Sequence, residues 1–121
     1  MAVTVTNQSN PLASKLVQDT AATNTAVENT TGASGTLYMV EIDNIAYGTA
    51  VYLKIANATT ATAGSTAATM VFLCPRSVKR SYVFPEGIEF NAGFSHWCVT
   101  AAAQSNTTAP GTPPTVRYVT S

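Results

Sequence analysis

The chain has 121 residues, 45% of them hydrophobic, and six Lys plus Arg balance six Asp plus Glu for a formal net charge of +0. That length suits one domain, able to bury about two-thirds of the surface its unfolded chain exposes, and its 10% of charged residues falls well short of the roughly 25% of an ordinary domain. Neutrality argues against nucleic-acid binding, which needs Lys and Arg to neutralise phosphates; no apolar run approaches the roughly 20 residues of a transmembrane helix; and a charge-poor surface suits a protein that works packed against others.

The N-terminal "MAVTVTNQSN" has no basic region followed by an apolar core, so no secretory signal is expected and the chain should be made and kept in a cytoplasm. There Cys74 and Cys98 should be reduced and buried rather than bridged, and the Asn-x-Ser/Thr triplets at Asn7, Asn29, Asn57 and Asn106 should not be glycosylated. "VTVTN" reads as a strand. Leu12, Leu16 and Val17 allow one helical turn, which the following Thr and Asn residues discourage from growing. Residues 1–34 are therefore expected to be a loosely structured N-terminal arm, and residues 35–121 a β-domain. A polar, Thr-rich arm gains little by folding alone and can order against a partner; its apolar Val3, Val5, Leu12 and Leu16 are the candidate contact residues.

From Thr36 the pattern alternates. Tyr38, Val40 and Ile42 share one parity, with Glu41 and Asp43 on the other; then Val51, Leu53 and Ile55 point inward and Lys54 outward. Asn44 to Gly48 should turn the chain between these strands, with Gly48 free to take positive φ, making them an antiparallel pair. Ala58 to Thr69 reads as an exposed loop. "MVFLCP" is a short apolar strand stopped by Pro75, and "SVKRSYVF" alternates again through Val78, Tyr82 and Phe84. Phe84-Pro85-Glu86-Gly87 suits a type I turn. Ile88 to Phe90 should pair with the strand Phe94 to Ala101 through the hairpin loop Asn91-Ala92-Gly93, where Gly93 can occupy the left-handed position of a bulge. That returning strand is apolar on both faces and should be central and covered. Ala101 to Pro114 is a long loop, and "TVRYVTS" is the last strand. The predicted fold class is all-β: a single antiparallel β-sandwich, jelly-roll-like, with an extended N-terminal arm.

Chemistry is sparse. His96 and Cys98 share a strand face, and Cys74 completes the best metal candidate, but zinc commonly wants a Cys-x-x-Cys pair or a second His, and neither occurs. A Cys98–His96 nucleophile pair has no evident orienting group. A Cys74–Cys98 disulfide depends on those strands being neighbours. Glu41 and Asp43 could pair on a sugar or cation but read better as a solvated face. Arg76, Lys79 and Arg80 read as a solvated loop. Gly32-Ala33-Ser34-Gly35 precedes a strand, which excludes a phosphate loop. Trp97 and Tyr47 are the aromatics a glycan-binding face would use, although strand parity favours packing.

The series "LYMVEIDN", "AVYLKIAN", "GST", "VFLCP", "FPEGIEFNAGFSHWCVT", a Thr/Ala/Pro loop and "VRYVTS" resembles small β-sandwich structural proteins of tailed-phage virions, over Thr36 to Ser121. Gly93-Phe94 stands where that group usually has Gly-Leu, and "HWC" is atypical of it. The resemblance implies a structural virion protein: a head-decoration or cement protein, trimeric, that binds the major capsid protein or other virion proteins and stabilises the shell. The alternative is a tail or fibre component with a receptor- or glycan-binding role. It implies no enzyme, catalytic residue, metal, cofactor, nucleic acid or membrane, and a location in the virion after synthesis in the host cytoplasm.

Overall fold

In the computed structural model, which describes residues 3–7 and 13–121, every helix or strand is a strand. They are β1 (Val3–Asn7), β2 (Lys15–Asp19), β3 (Gly35–Asp43), β4 (Val51–Ala56), β5 (Met70–Cys74), β6 (Lys79–Phe90), β7 (Ser95–Val99) and β8 (Thr115–Thr120). A five-stranded antiparallel sheet, β1-β2-β8-β3-β6, packs on a three-stranded antiparallel sheet, β5-β4-β7. The expected all-β sandwich is the fold that forms.

The core lies between the sheets. Val17, Leu37, Val40, Ile42, Val116 and Tyr118 come from the larger sheet. Val51, Leu53, Ile55, Phe72, Cys74 and Cys98 come from the smaller one. Phe90 stacks on Phe94 with centroids 4.8 Å apart, closing one end. Fully burying one such aliphatic or aromatic side chain is worth about 1.5–3 kcal/mol. The smaller sheet is also covered on its outer face, where Trp97, Val99 and Ala56 pack with Tyr52 and with Ala58, Ala61, Ala63 and Ala68 of the loop after β4. That loop, expected to be exposed, thus supplies a row of small side chains to a second apolar cluster.

Several expectations about pairing are corrected. β3 and β4 are not partners: they lie in different sheets, and Asn44 to Ala50 turns a corner between them. Buried Asn44 braces that corner, its Nδ2 donating to the carbonyls of Thr49 at 2.9 Å and Pro75 at 3.1 Å. β6 and β7 are likewise in different sheets, so Asn91 to Phe94 crosses between sheets instead of forming a hairpin. Neither Gly48 nor Gly93 has a positive φ. Gly93 is small for another reason: an added Cβ would meet Asn29 Oδ1 at 3.2 Å and the Ala58 carbonyl at 3.4 Å.

The Phe84–Gly87 turn is absorbed into β6. Val83 pairs with Met39 and Ile88 with Leu37, so residues 84–87 bulge opposite Tyr38 alone. β6 is an edge strand, where Pro85 removes no needed ladder bond. Gly87 sits at φ +77°, which only glycine adopts easily. Against β8, Tyr38 is itself the extra residue between Leu37 and Met39, which shifts the phase of β3, so Leu37 is buried and the predicted inward Tyr38 is only half-buried.

β7 is buried on both faces as expected, but it is an edge strand of its sheet rather than a central one. The chain from Thr23 to Thr30 covers that edge. Val27 bridges His96, and the amides of Cys98 and Thr30 pair with Thr23 O at 2.8 Å and Phe94 O at 2.8 Å. Within the expected N-terminal arm, β2 is hydrogen-bonded between β1 and β8, with Val17 and Asp19 fully buried. The C-terminal strand supplies a partner for β2 that local sequence does not reveal.

Candidate functional site: a sealed histidine and an open sheet face

His96 and Cys98 share the inner face of β7, as alternation predicts. His96 lies in a chain of buried polar groups. Its Nε2 is 2.9 Å from Asp19 Oδ2 on β2, and its Nδ1 is 2.9 Å from the Tyr118 hydroxyl on β8. That hydroxyl is 2.8 Å from Thr30 Oγ1. The second Asp19 oxygen, Oδ1, accepts the Ala21 amide at 3.0 Å. An ionised carboxylate only accepts, which places a proton on His96 Nε2. The other ring nitrogen, Nδ1, shares a hydrogen bond with the Tyr118 hydroxyl, which also bonds Thr30 Oγ1; that Thr30 hydroxyl lies 3.3 Å from the Phe94 carbonyl as well. Burial holds the Tyr118 phenol well above its ordinary value, keeping it a donor.

Asp, His and Tyr in series are the parts of a proton relay. Here Asp19 is 1% exposed and His96 and Tyr118 are 0% exposed, within the core between the sheets. The arrangement ties the two sheets together through matched donors and acceptors, as buried polar groups require.

The thiols are also enclosed. Burial, reinforced by the charge of Asp19, pushes Cys98 up to about 12, so it stays protonated beside His96. Burial raises Cys74 as well, and its Sγ lies 3.4 Å from Val78 O. Both cysteines are free. β5 and β7 flank β4, which separates them by two strand spacings, about 9–10 Å. A disulfide needs Cα atoms about 4.4–6.8 Å apart. Among the described residues, no three His, Cys, Asp or Glu side chains gather in a metal-holding arrangement.

The remaining sequence candidates are dispersed. Glu41 accepts Arg117 Nη1 at 2.9 Å and pairs with Lys79 at 3.9 Å, while Asp43 Oδ1 accepts the Ile45 amide at 3.2 Å. Arg76, Lys79 and Arg80 are exposed. Trp97 is 1% exposed and cannot stack on a ligand from solvent, and half-buried Tyr47 packs its ring over Gly111. Val3 packs against the core, and Val5 is 43% exposed on β1, an edge of the larger sheet. Leu12 lies outside the described residues. Leu16 is half-buried on the outer face of β2, opposite in parity to buried Val17.

That outer face has an ordered pattern. Register places Leu16, Val119, Met39 and Val83 in one apolar row across β2, β8, β3 and β6. The neighbouring row is polar: Gln18, Arg117, Glu41 and Ser81. Arg117 bridges it, donating from Nε to Gln18 Oε1 at 2.8 Å as well as to Glu41. Val119 is 4% exposed yet belongs to neither core cluster. Val83, at the row's end, is 58% exposed.

The sequence reading missed Asp19, Thr30 and Lys54. Asp19 carried a signal, since it shares the inward parity of Val17 and a carboxylate there must find a buried partner. Thr30 carried none. Lys54 was expected outward and does point to the outer face, but it is 1% exposed because the chain over residues 101–104 crosses that face. Comparison with protein-family models, curated proteins and solved structures finds no match to this chain.

Proposed function

We propose that this chain is a structural component of a tailed-bacteriophage virion, a head-decoration protein that binds the major capsid protein and stabilises the shell. The observation that carries the reading is the outer face of the five-stranded sheet, where the apolar row Leu16–Val119–Met39–Val83, half-buried at Leu16 and Met39, buried at Val119 and 58% exposed at Val83, runs beside the polar row Gln18–Arg117–Glu41–Ser81. Such a face offers an apolar centre with a hydrogen-bonding rim, the anatomy of a protein interface. The resemblance of Thr36 to Ser121 to small virion β-sandwich proteins supports the same reading. Binding only the assembled shell would stabilise it by mass action. The reading includes a homotrimer, made in the host cytoplasm and resident in the particle.

The test is to add the purified chain to particles lacking it, locate it by imaging and heat the particles. Occupancy of the head with a raised disruption temperature is expected, and Met39→Glu with Val83→Asp should abolish both while the isolated chain stays folded. Failure of the wild-type chain to bind heads, or undiminished binding by that double variant, would overturn the reading.

A further inference from the structure

We infer that the cavity beside Lys54, on the outer face of the three-stranded sheet, is a binding site for a carboxylate group. β4 and the loops that cover it build this site, on the opposite sheet from the face that carries the virion reading. Lys54 stands between its register partners Val71 on β5 and Trp97 on β7. It is 1% exposed, and its Nζ donates to the Ala103 carbonyl at 2.7 Å. An ammonium carries three donors, and this single carbonyl is the acceptor that holds it. The ion pairs among the described residues join Lys79 and Arg117 to Glu41 and His96 to Asp19; Lys54 has no carboxylate partner. A cation enclosed without counter-charge is costly, and an entering anion removes the cost.

A cavity of about 110 Å³ is lined in part by Lys54. One water needs roughly 10–15 Å³ by the same kind of measure, so a group of several heavy atoms fits. The polar lining consists of Lys54, Thr66 and Gln104, and the walls include Ala67, Ala68 and Ala102. Thr66 Oγ1 already accepts the Thr62 amide at 2.9 Å, which leaves its O–H to donate. Gln104 Nε2 reaches Ser65 O only at 3.4 Å and has a second N–H to give. The lining is therefore rich in donors and contains no carboxylate. Across the ladder from Lys54, the indole N–H of Trp97 is buried and unpartnered. One positive charge matches a monoanion better than a phosphate dianion, and small apolar walls accept the short carbon stem that a carboxylate carries. Two sources share that chemistry: a small free carboxylate, and a carboxylate at the end of a polypeptide.

The experiment uses the full chain with labelled lysine side chains and follows Lys54, Ala67, Ala102 and Gln104 by NMR. Sodium acetate is titrated against sodium chloride at matched ionic strength, followed by a short peptide with a free C-terminal carboxylate and the same peptide as its amide. A saturable shift with acetate, absent with chloride and absent in Lys54→Met, is expected, together with a higher Lys54 pKa in acetate than in chloride. Tighter binding of the free peptide than of acetate, with none of its amide, assigns the site to a polypeptide terminus; acetate binding at least as tightly assigns it to a small free carboxylate. Should Lys54→Met fail to fold, Thr66→Val and Gln104→Ala test the same point by weakening acetate with the amine intact. Linear, chloride-like responses to both probes, equal saturation by chloride, or saturation that survives these substitutions would overturn the proposal.

Discussion

His96 Nε2 on β7 and Asp19 Oδ2 on β2 meet 2.9 Å apart inside the sandwich, with the residues 0% and 1% exposed. The contact spans the two sheets and joins residues 77 positions apart in the chain. Asp19→Ala leaves the buried imidazole N–H without an acceptor, and a loss of about 3 kcal/mol is expected. Asp19→Asn keeps an acceptor oxygen and should lose less. Denaturant unfolding of the three proteins measures this; equal midpoints for wild type and Asp19→Ala would show that the pair contributes nothing.

Tyr118 holds the other side of the ring. Tyr118→Phe strips partners from His96 Nδ1 and Thr30 Oγ1 together, and about 1–3 kcal/mol should be lost. Because Thr30 acts through the same hydroxyl, combining Tyr118→Phe with Thr30→Val should cost less than the sum of the single changes. Strict additivity in that cycle would separate the two residues.

Lys54 makes a pH-dependent prediction. Burial lowers its pKa from the ordinary 10.5, so its charged form weighs against the native state. Between the lowered native value and 10.5 the unfolded chain binds more protons, and stability therefore rises with pH across that window. In acetate-free buffer, wild type should gain stability relative to Lys54→Met as the pH is raised from neutral toward 10.5, and Lys54→Met should be at least as stable as wild type at neutral pH. A stability difference that stays flat or moves the other way would contradict the assignment.

The thiols should be silent in the native protein. With Cys98 pushed up to about 12 and both sulfurs buried, little thiolate forms and none is presented. A thiol reagent should label neither cysteine until denaturant is added, then both. Rapid native labelling of Cys98 would mean that the β7 edge opens easily.

Gly87 marks the bulge in β6. At φ +77°, an added Cβ would lie 2.2 Å from Thr36 Cγ2 and 2.9 Å from Tyr38 Cε1. Gly87→Ala should destabilise by more than about 1 kcal/mol through strain and overlap. Thr36→Ser in the same chain should recover only the part due to overlap with the methyl group, because the backbone strain remains. Full recovery, read by thermal unfolding, would show that φ contributes little.

Much of the secondary structure was legible along the chain. Val51, Leu53 and Ile55 face the core as their alternation requires, as do Val40 and Ile42, because side-chain direction in a strand has a period of two whatever the strand pairs with. β8 could be read from "TVRYVTS" for the same reason. The inner-face placement of His96 with Cys98 was legible too, since residues two apart share a face.

Which strand meets which was decided only in three dimensions. Asn44 to Ala50 and Asn91 to Phe94 have the composition of hairpin loops, yet both carry the chain from one sheet to the other. Turn residues specify a change of direction, whereas the partner is chosen by whichever packing buries the inner faces. Tyr38 lost its predicted parity because it is the extra residue of β3 between Leu37 and Met39, a bulge that shows only in the pairing with β8 and β6. Lys54 was enclosed by the chain over residues 101–104, which lies on it only once the sandwich exists. Strand phase is written locally because it depends on neighbouring Cα geometry; the histidine tie, the covered lysine and the apolar row each join side chains distant in sequence, so only the folded chain brings them together.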